Sequence, residues 1–177
     1  MSPNVSKKPT HAAFWLAALS LAGFLVIVYA SAVAPESLPE IRMTPGEMQD
    51  SPVDSNQIGS SGVKGVHTKI LFGSPEKAGF YAILLFVPAH TTIQAHSHSD
   101  DRMATVVSGV WHFGYGDHFD AGALKALPPG SVYSEPGRHN HFAQTEAEAV
   151  VVQVCGYGPT GTRYFDPAND PRGHDRK

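Results

Sequence analysis

The sequence predicts an all-β fold, and three observations carry that prediction. Seventeen glycines and fourteen prolines in 177 residues supply many turns. Only 16% of the residues are charged, well below the roughly 25% of an average soluble domain, so the charged faces of a helical bundle are missing. From Val66 onward, short apolar or alternating runs are separated by turn residues, the pattern of a sandwich or closed barrel.

The strand expectations follow in chain order. The runs are 66–72 (VHTKILF), 79–87 (GFYAILLFV), 91–98, 102–108 (RMATVVS), 110–115, 131–135, 139–144 and 148–155 (EAVVVQVC). Gly73-Ser74-Pro75, Ser99-Asp100-Asp101, Gly109, Gly116-Asp117, Pro128-Pro129-Gly130 and Pro136-Gly137 separate them. Residues 119–126 (FDAGALKA) read equally as one helical turn or a short strand. A hydrophobic content of 42% is enough for a packed core. A net charge of −3 gives no basic footprint for nucleic acid. The single cysteine, Cys155, excludes an intrachain disulfide framework and a Cys-rich zinc site. It lies in an apolar run and reads as a small core residue.

The N-terminus reads as a targeting segment. Residues 12–30 contain no charge and no proline, follow Lys7 and Lys8, and precede the small-residue sites Ala30-Ser31-Ala32 and Ala32-Val33-Ala34. That is the layout of a secretory signal peptide. The apolar stretch also approaches the ~17–25 residues that span a bilayer, so an uncleaved apolar anchor helix is the rival reading. If the segment is cleaved, the cut is expected after Ala32, because Pro35 directly follows the other site. Residues 1–34 are thus a signal peptide or membrane anchor, and the rest of the chain is expected outside the cytoplasm, periplasmic, secreted or anchored facing out. Residues 35–62, rich in Pro and Ser, read as a linker or an arm laid along a barrel formed by 63–177.

Ten histidines are many for this length, and four of them form two H-x-H pairs, His96-Ser97-His98 and His139-Asn140-His141. In a strand, positions i and i+2 share a face with Cα atoms about 6.6 Å apart, so two imidazoles can converge on one ion. Gln94 shares that face by plain alternation. One H-x-H is a weak sign, since exposed strands carry histidines freely. Two pairs, each in an expected strand and separated by a Gly/Pro-rich stretch, favour a shared metal over solvated rings. Trp111, Phe113 and Tyr115 alternate on one face and read first as barrel-wall packing. Gly114 between them allows close packing or a bulge. Gly156 to Gly161 fits G-x-G-x-x-G but has no helix after it, so it reads as a turn rather than a dinucleotide loop.

The run PAHTTIQAHSHSDDRMATVVSG resembles the first motif of the cupins, G-x5-H-x-H-x3–4-E-x6-G, and GSVYSEPGRHNHF resembles the second, G-x5-P-x-G-x2-H-x3-N. His96, His98 and Gly109 match the first motif, while His90 stands at its opening Gly and Arg102 at its metal-binding Glu. Gly130, Pro136 and His141 match the second, while Arg138 replaces its inner Gly and Thr145 its final Asn. The resemblance implies a small jelly-roll β-barrel holding a divalent metal through His96, His98 and His141. Fe(II) is favoured by similarity to the three-His cupin thiol and diketone dioxygenases, with Zn or Mn as alternatives. Arg102 cannot ligate a metal. It is expected either to face the site and orient an anionic small-molecule substrate, or to turn away and pair with Asp100 or Asp101. His139 is expected close to the metal ligands, and His139 or His112 to move protons. These expectations describe an exported metal-binding cupin, a mononuclear non-haem iron oxygenase acting on a small anionic molecule. The alternatives are a non-catalytic barrel that binds or senses a metal or small ligand, and a purely structural barrel. No nucleic acid is expected as partner, the membrane is met only through the N-terminal segment, and a homodimer is compatible with the sequence.

Overall fold

The computed structural model describes residues 37–49 and 59–173. The apolar segment 12–30 and the small-residue sites lie outside the described residues; among those described, no helix is long and apolar enough to cross a membrane. Ten strands follow a short helix α1 (Pro45–Gln49). They are β1 (His67–Phe72), β2 (Gly79–Val87), β3 (Thr92–His98), β4 (Arg102–Ser108), β5 (Trp111–Tyr115), β6 (Lys125–Leu127), β7 (Val132–Glu135), β8 (His141–Gln144), β9 (Val150–Gly158) and β10 (Thr162–Tyr164). All pairings are antiparallel. They form two five-stranded sheets, β1-β2-β9-β4-β7 and β10-β3-β8-β5-β6, whose non-sequential neighbours are the crossed connections of a jelly roll.

Strand alternation decides what is inside. In β9, Val150, Val152 and Val154 are buried while Val151, Gln153 and Cys155 are half-exposed. Cys155 therefore belongs to the outer face, against the expectation of a core residue. β9 runs the full length of β2, from Gly79↔Gly158 to Val87↔Val150. The inward residues of both sheets meet in one core that includes Tyr81, Ile83, Val106, Trp111, Phe113 and Val152.

Residues 119–126 prove to be both of the forms they allowed. A 3-10 turn at Ala121–Ala123, capped by the Asp120 side chain, leads into β6. The glycine run 156–161 starts inside β9 and ends in the turn to β10. Strand β10 had no signal in the sequence beyond its last turn. The arm touches the barrel at both of its described parts. Lys69 donates to the carbonyl of Met48 at 2.9 Å, and Tyr164 Oη donates to the carbonyl of Ser61 at 2.7 Å. Ser60 and Ser61 are buried.

Gly114 allows close packing. A Cβ there would lie 2.5 and 2.7 Å from two ring carbons of Phe142, which is 1% exposed. Gly114→Ala is expected to cost about 1–3 kcal/mol through overpacking, read as a lower urea midpoint. An unchanged midpoint would mean that the Phe142 ring swings aside without loss.

Candidate metal centre

His96, His98 and His141 come together inside the barrel. One ring nitrogen from each lies within 4.8 Å of the others, and all three residues are buried. Their ring centroids are 4.5 to 5.3 Å apart. Pairing of β3 with β8 sets His96 directly opposite His141.

A bulge makes this possible. Ile93 faces Ala143, yet His96 faces His141, so β3 carries one more residue than β8 between these two pairs. Ala143 and His141 share a face, and so therefore do Ile93 and His96. Plain alternation from the core residue Ile93 would have turned both histidines of the first pair outward.

The second ring nitrogen of each histidine fixes its chemistry. Nδ1 of His96 lies 2.8 Å from the carbonyl of Gln94, that of His98 3.2 Å from Gly161, and that of His141 3.2 Å from His139. A carbonyl only accepts, so each Nδ1 carries the proton and each Nε2 carries a lone pair. Nε2 of His98 and of His141 is buried with no hydrogen-bond partner. Burial, with the other imidazoles and Arg102 adding to it, lowers the ring pKa of His96 and His141 to about 3 and that of His98 well below its ordinary value. Three neutral imidazoles with converging lone pairs suit a divalent ion, and the two orphaned nitrogens are the atoms such an ion would satisfy. Phe113 stacks on His141 at 5.3 Å, and Tyr133 packs against Phe113 at 4.3 Å. Trp111 Nε1 and Tyr133 Oη are also buried, neither in a hydrogen bond of good geometry, with Tyr133 lying beside both Trp111 and Glu135.

Arg102 takes neither of the two expected arrangements in full. It is buried, 6% exposed, and its partner is Glu135. Nε donates to Glu135 Oε2 at 2.6 Å, Nη2 donates to the same oxygen, and Nη1 donates to the carbonyl of Gly59 at 2.9 Å. Burial, the largest single effect, would lower the guanidinium pKa, but Glu135 together with Tyr81 and Asp100 outweighs it and the net shift is upward. Asp100 accepts instead from Tyr81 Oη at 2.8 Å, and Asp101 from the amide of Gly137 at 2.7 Å. Glu135 is the site residue that sequence reasoning missed. Its Oε2 lies 3.7 Å from Nε2 of His98 and 3.8 Å from Nε2 of His141.

His139 stands apart from this cluster. It is exposed, precedes β8 rather than lying in it, and packs its ring at a tilt against Tyr115. Only its carbonyl touches a candidate ligand. A proton-moving role for its ring is not supported by that position, because the turn at 136–140 ends before the strand alternation begins. His112 points away from the core residues Trp111 and Phe113, with Nε2 3.6 Å from the exposed Glu146.

Comparison with known proteins adds the fold. No protein-family model matches the chain, and no curated protein matches it in sequence. Among solved structures, the polyketide cyclase RemF from Streptomyces resistomycificus is similar over 80% of this chain and 94% of its own, at 16% identity and TM-score 0.57. An RmlC-like cupin from Shewanella frigidimarina matches 62% of this chain and 86% of its own, at 15% identity and TM-score 0.45. A chain of the DMSP lyases RdDddP and RnDddQII matches over 57% of this chain at 18% identity and TM-score 0.46, and this protein spans only 51% of it.

The lowered histidine pKa values make the metal-free protein acid-sensitive. Above about pH 6.5 the rings are neutral in both folded and unfolded chains. As pH falls below that value, the unfolded chain takes up protons that the folded chain refuses down to about pH 3, so stability falls. The urea midpoint of metal-free protein is expected to drop from pH 7 to pH 5, less steeply in His141→Gln. Equal slopes in the two proteins would mean that the His141 ring is not held neutral by the fold.

Proposed function

This chain folds as a cupin, and from that premise we propose that it is a metal-dependent protein, a mononuclear non-haem iron oxygenase acting on a small anionic molecule outside the cytoplasm. The observation that carries the reading is the set of three buried, neutral imidazoles whose Nε2 lone pairs converge. When bound there, a divalent ion with free coordination positions supplies Lewis-acid chemistry and, as Fe(II), oxygen chemistry. The chain supplies the rest. Three backbone carbonyls orient the ligands. Phe113 and Tyr133 exclude water from the His141 side. Trp111 Nε1 and Tyr133 Oη are buried polar groups beside Glu135 on this side of the site.

The preference for an anion no longer rests on a free Arg102, whose charge Glu135 already meets. It rests on a pocket of about 540 Å³ lined by His98, Arg138, Asn140, Thr162 and Arg163. That size suits a small ligand. Neither Arg138 nor Arg163 has an ion-pair partner among the described residues. The second reading, a barrel that binds or senses an ion without catalysis, is favoured by one observation. The three histidines are only 2–5% exposed, as in closed structural metal sites.

Metal analysis of the protein purified from its native compartment tests the proposal. About one iron per chain with oxygen uptake in the presence of small organic anions supports the oxygenase. Tightly held zinc with no turnover supports the binding barrel, and no metal at all removes both. His141→Ala is expected to abolish metal binding, whereas His139→Ala keeps it, because only the His139 carbonyl is used. Loss of metal in both variants would contradict the separation of the two histidines. Export is tested by N-terminal sequencing: Val33 is expected as the first residue of the cleaved protein, an intact Met1 in membranes supports the anchor, and a soluble cytoplasmic product contradicts export.

A further inference from the structure

The place of the missing fourth ligand is filled from another strand. In the first cupin-like motif a carboxylate would stand at residue 102 on β4, and this chain has Arg102 there. Antiparallel pairing of β4 with β7 sets Arg102 directly opposite Glu135. Glu135 is 4% exposed, and its Oε2 reaches 3.7 and 3.8 Å from the two orphaned imidazole nitrogens of His98 and His141. Bonds of ~2.1 Å to one ion would bring neighbouring ligand atoms to roughly 3.0–3.4 Å, so Oε2 is a few tenths of an ångström from ligating distance of those two nitrogens. Only the three histidine nitrogens lie mutually within 4.8 Å, so the carboxylate closes on an ion that the histidines hold first.

We infer that Glu135 is the fourth protein ligand of the metal centre, donated from β7 instead of β4, and that Arg102 is the residue that positions it. The inference rests on the metal-binding reading above. Arg102 aims the carboxylate through two donors, Nε and Nη2, and is itself held by the Gly59 carbonyl. One carboxylate then faces two cationic groups, the guanidinium and the ion. The centre keeps more positive charge than a three-His, one-Glu site without a nearby arginine. An anionic molecule is the complement of that charge at any open position.

The alternative role for Glu135 is that of a counter-ion to Arg102 and nothing more, and removing either partner alone would leave a buried charge and confuse folding with binding. The experiment therefore removes both. Binding of Co(II) and Zn(II) to metal-free protein is measured by titration calorimetry and by the Co(II) ligand-field spectrum, in the parent, in R102M/E135M, and in R102E/E135M, with thermal unfolding confirming that each variant is folded. If Glu135 is a ligand, R102M/E135M binds about 10- to 100-fold more weakly with an altered Co(II) spectrum, on the scale of lost metal-site partners. R102E/E135M then regains affinity by returning a carboxylate to β4. Should the double methionine variant unfold, E135D carries the test, because it keeps the charge that Arg102 needs: a ligand role gives a changed Co(II) spectrum, a counter-ion role an unchanged one. Equal affinity and an unchanged spectrum in folded R102M/E135M, with the parent binding one ion, overturn this inference alone. A parent that binds no ion overturns it together with the metal-binding reading.

Discussion

A guanidinium buried to 6% exposure must have a carboxylate beside it, and in this barrel that requirement organises one end of the interior. Breaking such a buried pair by removing one partner costs on the order of 3–5 kcal/mol. Arg102 and Glu135 satisfy each other across β4 and β7. The remaining donor of Arg102 reaches past the sheet to the carbonyl of Gly59, so the pair also fastens the end of the N-terminal arm. The room is tight there: a Cβ on Gly59 would sit 2.7 Å from Thr160 Cγ2. The same carboxylate that neutralises the arginine faces the histidine cluster, which makes a structural ion pair part of the chemistry of the site.

The histidines depend on backbone more than on side-chain neighbours. Each Nδ1 is held by a carbonyl from a different stretch of chain, Gln94, Gly161 and His139. The tautomer follows from those three acceptors, and the tautomer decides that the lone pairs point inward. Burial then keeps the rings neutral at ordinary pH. Fold and function are linked through this chain of causes: the local backbone places the carbonyls of Gln94 and His139, the pairing of β3 with β10 places that of Gly161, the carbonyls place the protons, and the protons leave three nitrogens free to ligate.

Much of the fold was legible because its signals are local. Strands 79–87 and 102–108 were readable to the residue from apolar runs bounded by Gly, Pro and Asp. His96, His98 and His141 were readable as candidates from i, i+2 spacing and from the motifs around them. Glu135 was not, because nothing in GSVYSEPG marks one carboxylate as buried; the Arg at 102 signalled only that a compensating anion was needed somewhere. Cys155 was misjudged because the apolar run was read without its phase: Gln153, two residues earlier, shares the face of Cys155 and marks it as the outer one. For His139, H-x-H implies a strand over both histidines, whereas β8 begins only at His141, so its carbonyl rather than its ring meets the cluster.

By itself, then, the sequence determined eight of the ten strands, the chemical character of the candidate ligands and the presence of an arginine where the motif has its carboxylate. These depend on residues close together in the chain. The tertiary structure decided which atoms meet. The one-residue bulge between Ile93 and His96 reverses the phase of β3, and a slip of one residue turns every side chain to the other face. The register of β4 against β7 chooses Glu135, rather than Asp100 or Asp101, as the partner of Arg102. Register between distant strands is set by how the two sheets close over a common core, and no local run of residues encodes it.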